Sequence, residues 1–143
     1  MSIDRFITAQ QRDFETALSE IRAGGKRSHW MWYIFPQIQG LGFSPTARFY
    51  AIKDIQEAKE YLENPYLSGN LQMICDALLS LPTDDPGIIL GYPDDLKLCS
   101  SMTLFSQAAP ESILFRKVLD KFYDGRADAE TLRILAEQER GVI

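Results

Sequence analysis

The chain has one histidine, two cysteines and no surplus of positive charge, and each shortage removes a class of function. Its 15 lysines and arginines face 20 aspartates and glutamates, which leaves a net charge of −5. The basic residues are scattered among the acidic ones, so no stripe exists to neutralise a phosphate backbone, and nucleic acid is not expected as a general partner. No apolar stretch approaches the roughly 18 residues that span a bilayer, and no basic leader precedes an apolar run, so a membrane is not expected either and a cytoplasmic location is. Cys75 and Cys99 sit far apart in apolar periodic segments without CxxC spacing, and read as buried free thiols. HExxH, EF-hand, GxGxxG and Gly-Lys-Ser phosphate-loop patterns are absent, so neither a metal nor a cofactor is expected. Gly40-Leu41-Gly42 is too short for a phosphate fingerprint and reads as a turn.

What is present is a globular composition, 45% hydrophobic and 24% charged over 143 residues, enough for one core and one domain, residues 1–143. Phe6, Phe14, Ala17, Leu18 and Ile21 keep mostly helical spacing, and Gly24-Gly25 follows as a stop. The apolar run from His29 to Phe35 fits a buried strand or two helical turns, and Ser28 as an N-cap favours the helix. Ser44-Pro45, Asn64-Pro65 and Asp85-Pro86 each pair a capping side chain with a proline at the first helical position. Asp54 with Glu57 resembles a capping box, and Asp128 reads as another cap.

Further along, Leu67, Leu71, Ile74, Cys75, Leu78 and Leu79 form a helical stripe. Asp94 and Asp95 lie at a helix start, where the exposed N–H groups favour negative charge, and Leu96, Cys99, Met102 and Phe105 are that helix's expected buried face. Pro110-Glu111 opens the next helix, with Ile113, Leu114, Val118, Leu119 and Phe122 on it and Gly125 ending it. The final helix is expected to bury Leu132 and Leu135. With no linker, repeat or convincing hairpin, the expectation is an all-α fold of several short, irregularly packed helices.

Lys26 to Pro36, Leu41-Gly42, Gly91-Tyr92-Pro93-Asp94-Asp95-Leu96-Lys97-Leu98, Ser100-Ser101-Met102-Thr103-Leu104-Phe105 and Lys121-Phe122-Tyr123-Asp124-Gly125 occur here in one order. Together they resemble the bacterial family called domain of unknown function 1810, over nearly the whole chain. The resemblance implies a mainly helical fold. It implies no activity, because the family has no established one. The label calpastatin that members often carry finds no support in these residues.

The densest stretch in chemistry runs from Lys26 to Gln37 and holds both tryptophans and the histidine. His29, with an ordinary pKa of about 6.5, is the chain's one side chain suited to acid–base work near neutral pH without large perturbation. The competing reading has it hydrogen-bonded to fix a helix end. Lys26 and Arg27, before a helix start, suit a phosphate or carboxylate, or else form a solvated turn. Trp30 and Trp32 suit a planar ligand, or else fill the core. Asp94 and Asp95 suit paired acid–base work, although adjacent helical residues diverge by about 100° and capping competes. Lys97 can pair with either aspartate. Ser100, Ser101 and Thr103 form a hydroxyl run in mid-helix, suited to a ligand's phosphate or ribose or to bonding back onto the helix.

No catalytic signature fixes a reaction, so whether the chain is an enzyme stays open at this level. The leading expectation is a site that binds, and in one version hydrolyses, a small polar or phosphorylated metabolite such as a nucleotide or ADP-ribose derivative in a cleft near His29. Its catalytic candidates are His29, Asp94 and Asp95; its binding candidates are Lys26, Arg27, Trp30, Trp32, Lys97, Ser100, Ser101 and Thr103. The alternative is a non-enzymatic protein-interaction module whose aromatic segment is core.

Overall fold

The computed structural model describes residues 3–141, through which run α1 (Asp4–Arg22), α2 (Met31–Ile34), α3 (Pro45–Tyr50), α4 (Ile55–Glu63), α5 (Pro65–Leu79), α6 (Pro86–Leu90), α7 (Asp94–Ala108), α8 (Leu114–Tyr123) and α9 (Ala129–Glu139). No strand forms among these residues, and the all-α expectation holds. Ile38 and Ile52 make one isolated parallel bridge. No described helix is long and apolar enough to cross a membrane.

The caps explain most of the helix starts. Ser44 accepts from the Ala47 N–H, Asp54 from Glu57, Asn64 from Tyr66 and Leu67, Asp85 from Gly87 and Asp128 from Thr131, all at 2.9–3.1 Å. Each satisfies a donor that the first helical turn leaves unpaired. At the end of α8, Asp124 and Gly125 both turn left-handed, with φ of 54° and 75°. The Gly125 N–H reaches the Leu119 carbonyl at 3.0 Å, which closes the helix end.

Four local expectations fail. Ser28 caps nothing: α2 is a single turn behind Trp30, and the Ser28 hydroxyl bonds Glu20 instead. Helix α8 begins at Leu114 rather than Pro110, since the Ser112 N–H folds back onto the Ala109 carbonyl in a turn. Leu96 and Ile113 are exposed and Cys99 is only half-buried, because α7 turns Leu98, Met102 and Phe105 inward and Ile113 stands outside α8. Helix α9 buries Thr131 and Ile134, leaving Leu132 at the surface and Leu135 half-buried.

At the centre lies α7, which packs on α4, α6, α8 and α9. Its residues from Leu98 to Ala108 are buried apart from Cys99 and Gln107, the pattern of a helix covered on most sides rather than on one stripe. That position explains its small polar residues. Ser100 donates to the Leu96 carbonyl, Thr103 to Cys99 and Ser106 to Thr103, so each hydroxyl is satisfied inside the helix while its small volume lets neighbours approach. Beside α7, the rings of Phe6, Tyr61, Phe105 and Phe115 follow one another at centroid separations of 5.2, 5.1 and 5.6 Å. Gln10 ties this core to α2 by donating to Tyr61 Oη and the Tyr33 carbonyl, both at 2.9 Å.

Candidate ligand site between the α1–α2 loop and α7

The loop from Ala23 to Trp30 is shaped by one carboxylate. Glu20 follows Ala17 by three residues on α1, so it faces the interior with the apolar stripe and is 6% exposed. It accepts from the Arg27 N–H at 2.7 Å, the Ser28 N–H at 2.9 Å, the Ser28 hydroxyl and Trp30 Nε1 at 2.9 Å. Burial alone would raise its pKa. The donors outweigh that and hold the carboxyl down at about 2. Three residues of the loop are thus pinned to α1, and the segment between them is presented in a fixed shape.

Lys26 is presented toward the start of α7. Its backbone N–H donates to the Ile89 carbonyl at 2.7 Å, and its ammonium lies 2.8 Å from Asp94 Oδ2. Lys97, one turn along α7, reaches Asp94 Oδ1 at 2.9 Å. Two ammoniums therefore share one carboxylate. Partial burial pushes the Asp94 carboxyl up, but hydrogen bonds from Lys26 and Lys97 prevail and hold it below its ordinary value. The lysines also lie over aromatic faces: Lys97 Nζ is 4.0 Å from the Trp32 ring centroid and Lys26 Nζ 5.2 Å from that of Trp30. Each ammonium has three N–H donors, and Asp94 takes only one from each, so the cluster keeps donors and a net positive charge.

Lys26, Trp30, Trp32, Asp94 and Lys97 are thus brought together from distant parts of the sequence. Arg27 and His29 are exposed on the same loop. The His29 imidazole makes no hydrogen bond or ion pair with the described residues, whereas its backbone carbonyl accepts from Tyr33 Oη at 3.1 Å. Trp30 is buried with its indole N–H on Glu20, while Trp32 stays half-buried. Asp95 accepts from the Leu96 N–H at 3.0 Å through Oδ1, and its carbonyl receives the Tyr123 hydroxyl.

Ser100 and Thr103 are turned onto their own helix, and Thr103 Oγ1 further accepts from the Asp128 N–H at 2.8 Å. Ser101 is fully buried and its hydroxyl has no partner. The hydroxyl run therefore packs inside the fold. Clefts of about 490 and 500 Å³ lie elsewhere, against α9 and the Lys53–Asp54 turn. Among the described residues no group of three His, Cys, Asp or Glu side chains is placed to hold a metal ion.

Two polar residues of this region carry no motif and were not among the sequence's candidates. Glu20 was signalled only by its position, an acid in register with an apolar stripe. Gln37 is 7% exposed, and its Nε2 has no acceptor; no pattern in the sequence marks it.

The family described as protein of unknown function (DUF1810) matches residues 1–135. The chain belongs to that family. A solved structure is similar to it throughout: the crystal structure of the conserved hypothetical protein Rv1873 from Mycobacterium tuberculosis, 42% identical, covers 94% of this chain and 96% of its own at a TM-score of 0.91. No curated protein matches. The Rv1873 structure shares the helical architecture, and neither its description nor the family's names an activity.

Proposed function

We propose that this DUF1810 chain binds a small phosphorylated metabolite at the Lys26–Asp94–Lys97 cluster. One observation carries the reading: two half-buried ammoniums are fixed by a single carboxylate, with donors left over, and one of them lies over the face of a half-buried tryptophan. A lysine ammonium is a point charge that suits phosphate, and prior fixation lowers the ordering cost of binding. Asp94 stays ionised at neutral pH and so acts as the organiser of the lysines rather than as a proton donor. Arg27 and His29, on the same loop, supply further donors to an anion. Where the bound molecule carries a scissile bond, the unengaged His29 imidazole is the group for proton transfer, with Asp95, which the lysines do not pair, as the accompanying carboxylate. By the same reading the protein works in the cytoplasm.

The test is a thermal-shift screen against inorganic pyrophosphate, ribose 5-phosphate, AMP and ADP-ribose, on the wild type and on Lys97→Ala. A ligand at about 100 times its Kd adds roughly 2.7 kcal/mol, which raises the Tm by several degrees. The expected result is a shift in the wild type that Lys97→Ala loses. A blank wild-type screen, or a shift that survives the substitution, contradicts the proposal.

A second reading, a non-enzymatic interaction module, has its own support. Trp30, Tyr33 and Phe35 are buried as core, and Ile88, Tyr92 and Leu96 stand exposed around the α6–α7 corner. A well-folded wild type that answers to none of the small molecules favours it.

A further inference from the structure

Trp32 has a second neighbour besides Lys97. A cavity of about 10 Å³, the room of one water, is lined by Trp32, Gln37, Leu41, Gly42, Ala47 and Tyr50. Gln37 lies in its wall with a buried amide that donates to nothing. An orphaned buried donor is a cost that native structures rarely carry without a use. The cover of the cavity is the segment from Gly40 to Phe43. Gly42 lies so close that a Cβ there would stand 2.8 Å from Ala47 Cβ and 3.1 Å from Trp32 Cη2. This cover is held by packing, Leu41 against the core, rather than by backbone hydrogen bonds. Between the Gln39 N–H on the Ile52 carbonyl and the Ser44 cap, residues 40–43 make no backbone hydrogen bond. Gly40, at φ of 108°, supplies a hinge position that tolerates large changes.

We infer that residues 40–43 form a lid over a subsite floored by Trp32 and Gln37, and that this subsite takes the flat heteroaromatic ring of a ligand whose phosphate lies at Lys26 and Lys97. The inference rests on the phosphate reading above and adds the ring. A cavity of one water's size holds no heterocycle, so the lid lifts for entry. A heterocycle set against the indole replaces Gly42 by stacking. A ring nitrogen or carbonyl then gives Gln37 Nε2 the acceptor it lacks. The ammonium of Lys97, over the Trp32 ring, joins the two halves of the site. The ligand class is therefore a nucleotide, rather than a sugar phosphate or a bare phosphate.

The test compares AMP with ribose 5-phosphate by calorimetric titration on the wild type and on Gln37→Leu, which keeps the side chain's bulk and removes the donor. The wild type is expected to prefer AMP by at least about tenfold, the scale of a stacked and hydrogen-bonded base. In Gln37→Leu the preference falls toward one. Should that variant fail to fold, Gln37→Met asks the same question. Equal affinity of the wild type for both compounds overturns the ring subsite and leaves the phosphate site standing. A preference undiminished in the folded variant also overturns the role of Gln37. No binding of either compound removes the phosphate reading and the inference together.

Discussion

Glu20 and Asp94 are both carboxylates held below their ordinary pKa, yet they are held by different partners and do different work. Glu20, on α1, is sealed beneath the following loop and takes its hydrogen bonds from two backbone N–H groups, a hydroxyl and an indole. All those donors are consumed, and the result is a loop of fixed shape. Asp94 lies half-buried between two ammoniums that it only partly satisfies. One charge is closed into the fold, and the other organises a surface that still has donors to give. A buried carboxylate surrounded by neutral donors reads as architecture. A shared carboxylate between surplus cations reads as a prepared site.

The comparison breaks most visibly at Glu20. Replacing Glu20→Ala strands the Trp30 indole N–H and the N–H groups of Arg27 and Ser28, at a cost on the order of 3 kcal/mol. Differential scanning calorimetry is expected to show a Tm lower by about 10 °C. A loss within about 1 °C would mean that the loop holds its shape without the carboxylate.

Acid probes the same group. The folded pKa of Glu20 is depressed, so its contribution is complete above the ordinary value of 4.5 and fades as the pH falls toward about 2. Chemical denaturation at stepped pH is expected to lose at most about 3 kcal/mol through this window from Glu20. Asp94, also depressed, adds to the loss in the same direction. In Glu20→Gln the larger part of that limb flattens, and an unchanged slope would assign it to other carboxylates.

At the surface cluster the expected stability effects are smaller. Asp94→Asn removes two partly exposed ion pairs worth about 0–1 kcal/mol each. Its stronger signature lies in binding: without the carboxylate the lysine charges stand uncompensated, so phosphate affinity becomes steeper in ionic strength. An unaltered salt dependence separates Asp94 from the binding charge. His29→Ala, at an exposed side chain without partners, is expected to leave stability within about 0.5 kcal/mol. A larger drop in its thermal melt would make the imidazole structural.

The helical architecture was legible because its punctuation is local. A capping side chain followed by proline declares a helix start without reference to the rest of the chain, as Ser44-Pro45, Asn64-Pro65 and Asp85-Pro86 show. Faces were less legible, because α7 is covered on most sides and its buried set is decided by neighbours rather than by period. The exposure of Leu96 follows from that, and Ile113 is exposed because α8 starts one residue after it. In the site, Lys26, Asp94 and Lys97 could be nominated from charge and helix position, but their pairing across 68 residues is a tertiary fact. Ser28 illustrates the limit. A hydroxyl before an apolar run looks like a cap, and here a carboxylate eight residues earlier takes it first. The hydroxyl run of α7 was visible, while the packing it permits, with Ser100 and Thr103 bonded back onto the helix and Ser101 unpartnered, emerges only once that helix is seen at the centre.

The most direct measurement is a calorimetric titration of ribose 5-phosphate into the wild type and into the Lys26→Ala/Lys97→Ala double variant. Binding in the wild type that weakens at least about tenfold in the variant, with the Tm moved by only a few degrees, is the expected result. Equal heats from both proteins, or none from the wild type, would contradict the assignment of the paired lysines as a phosphate site.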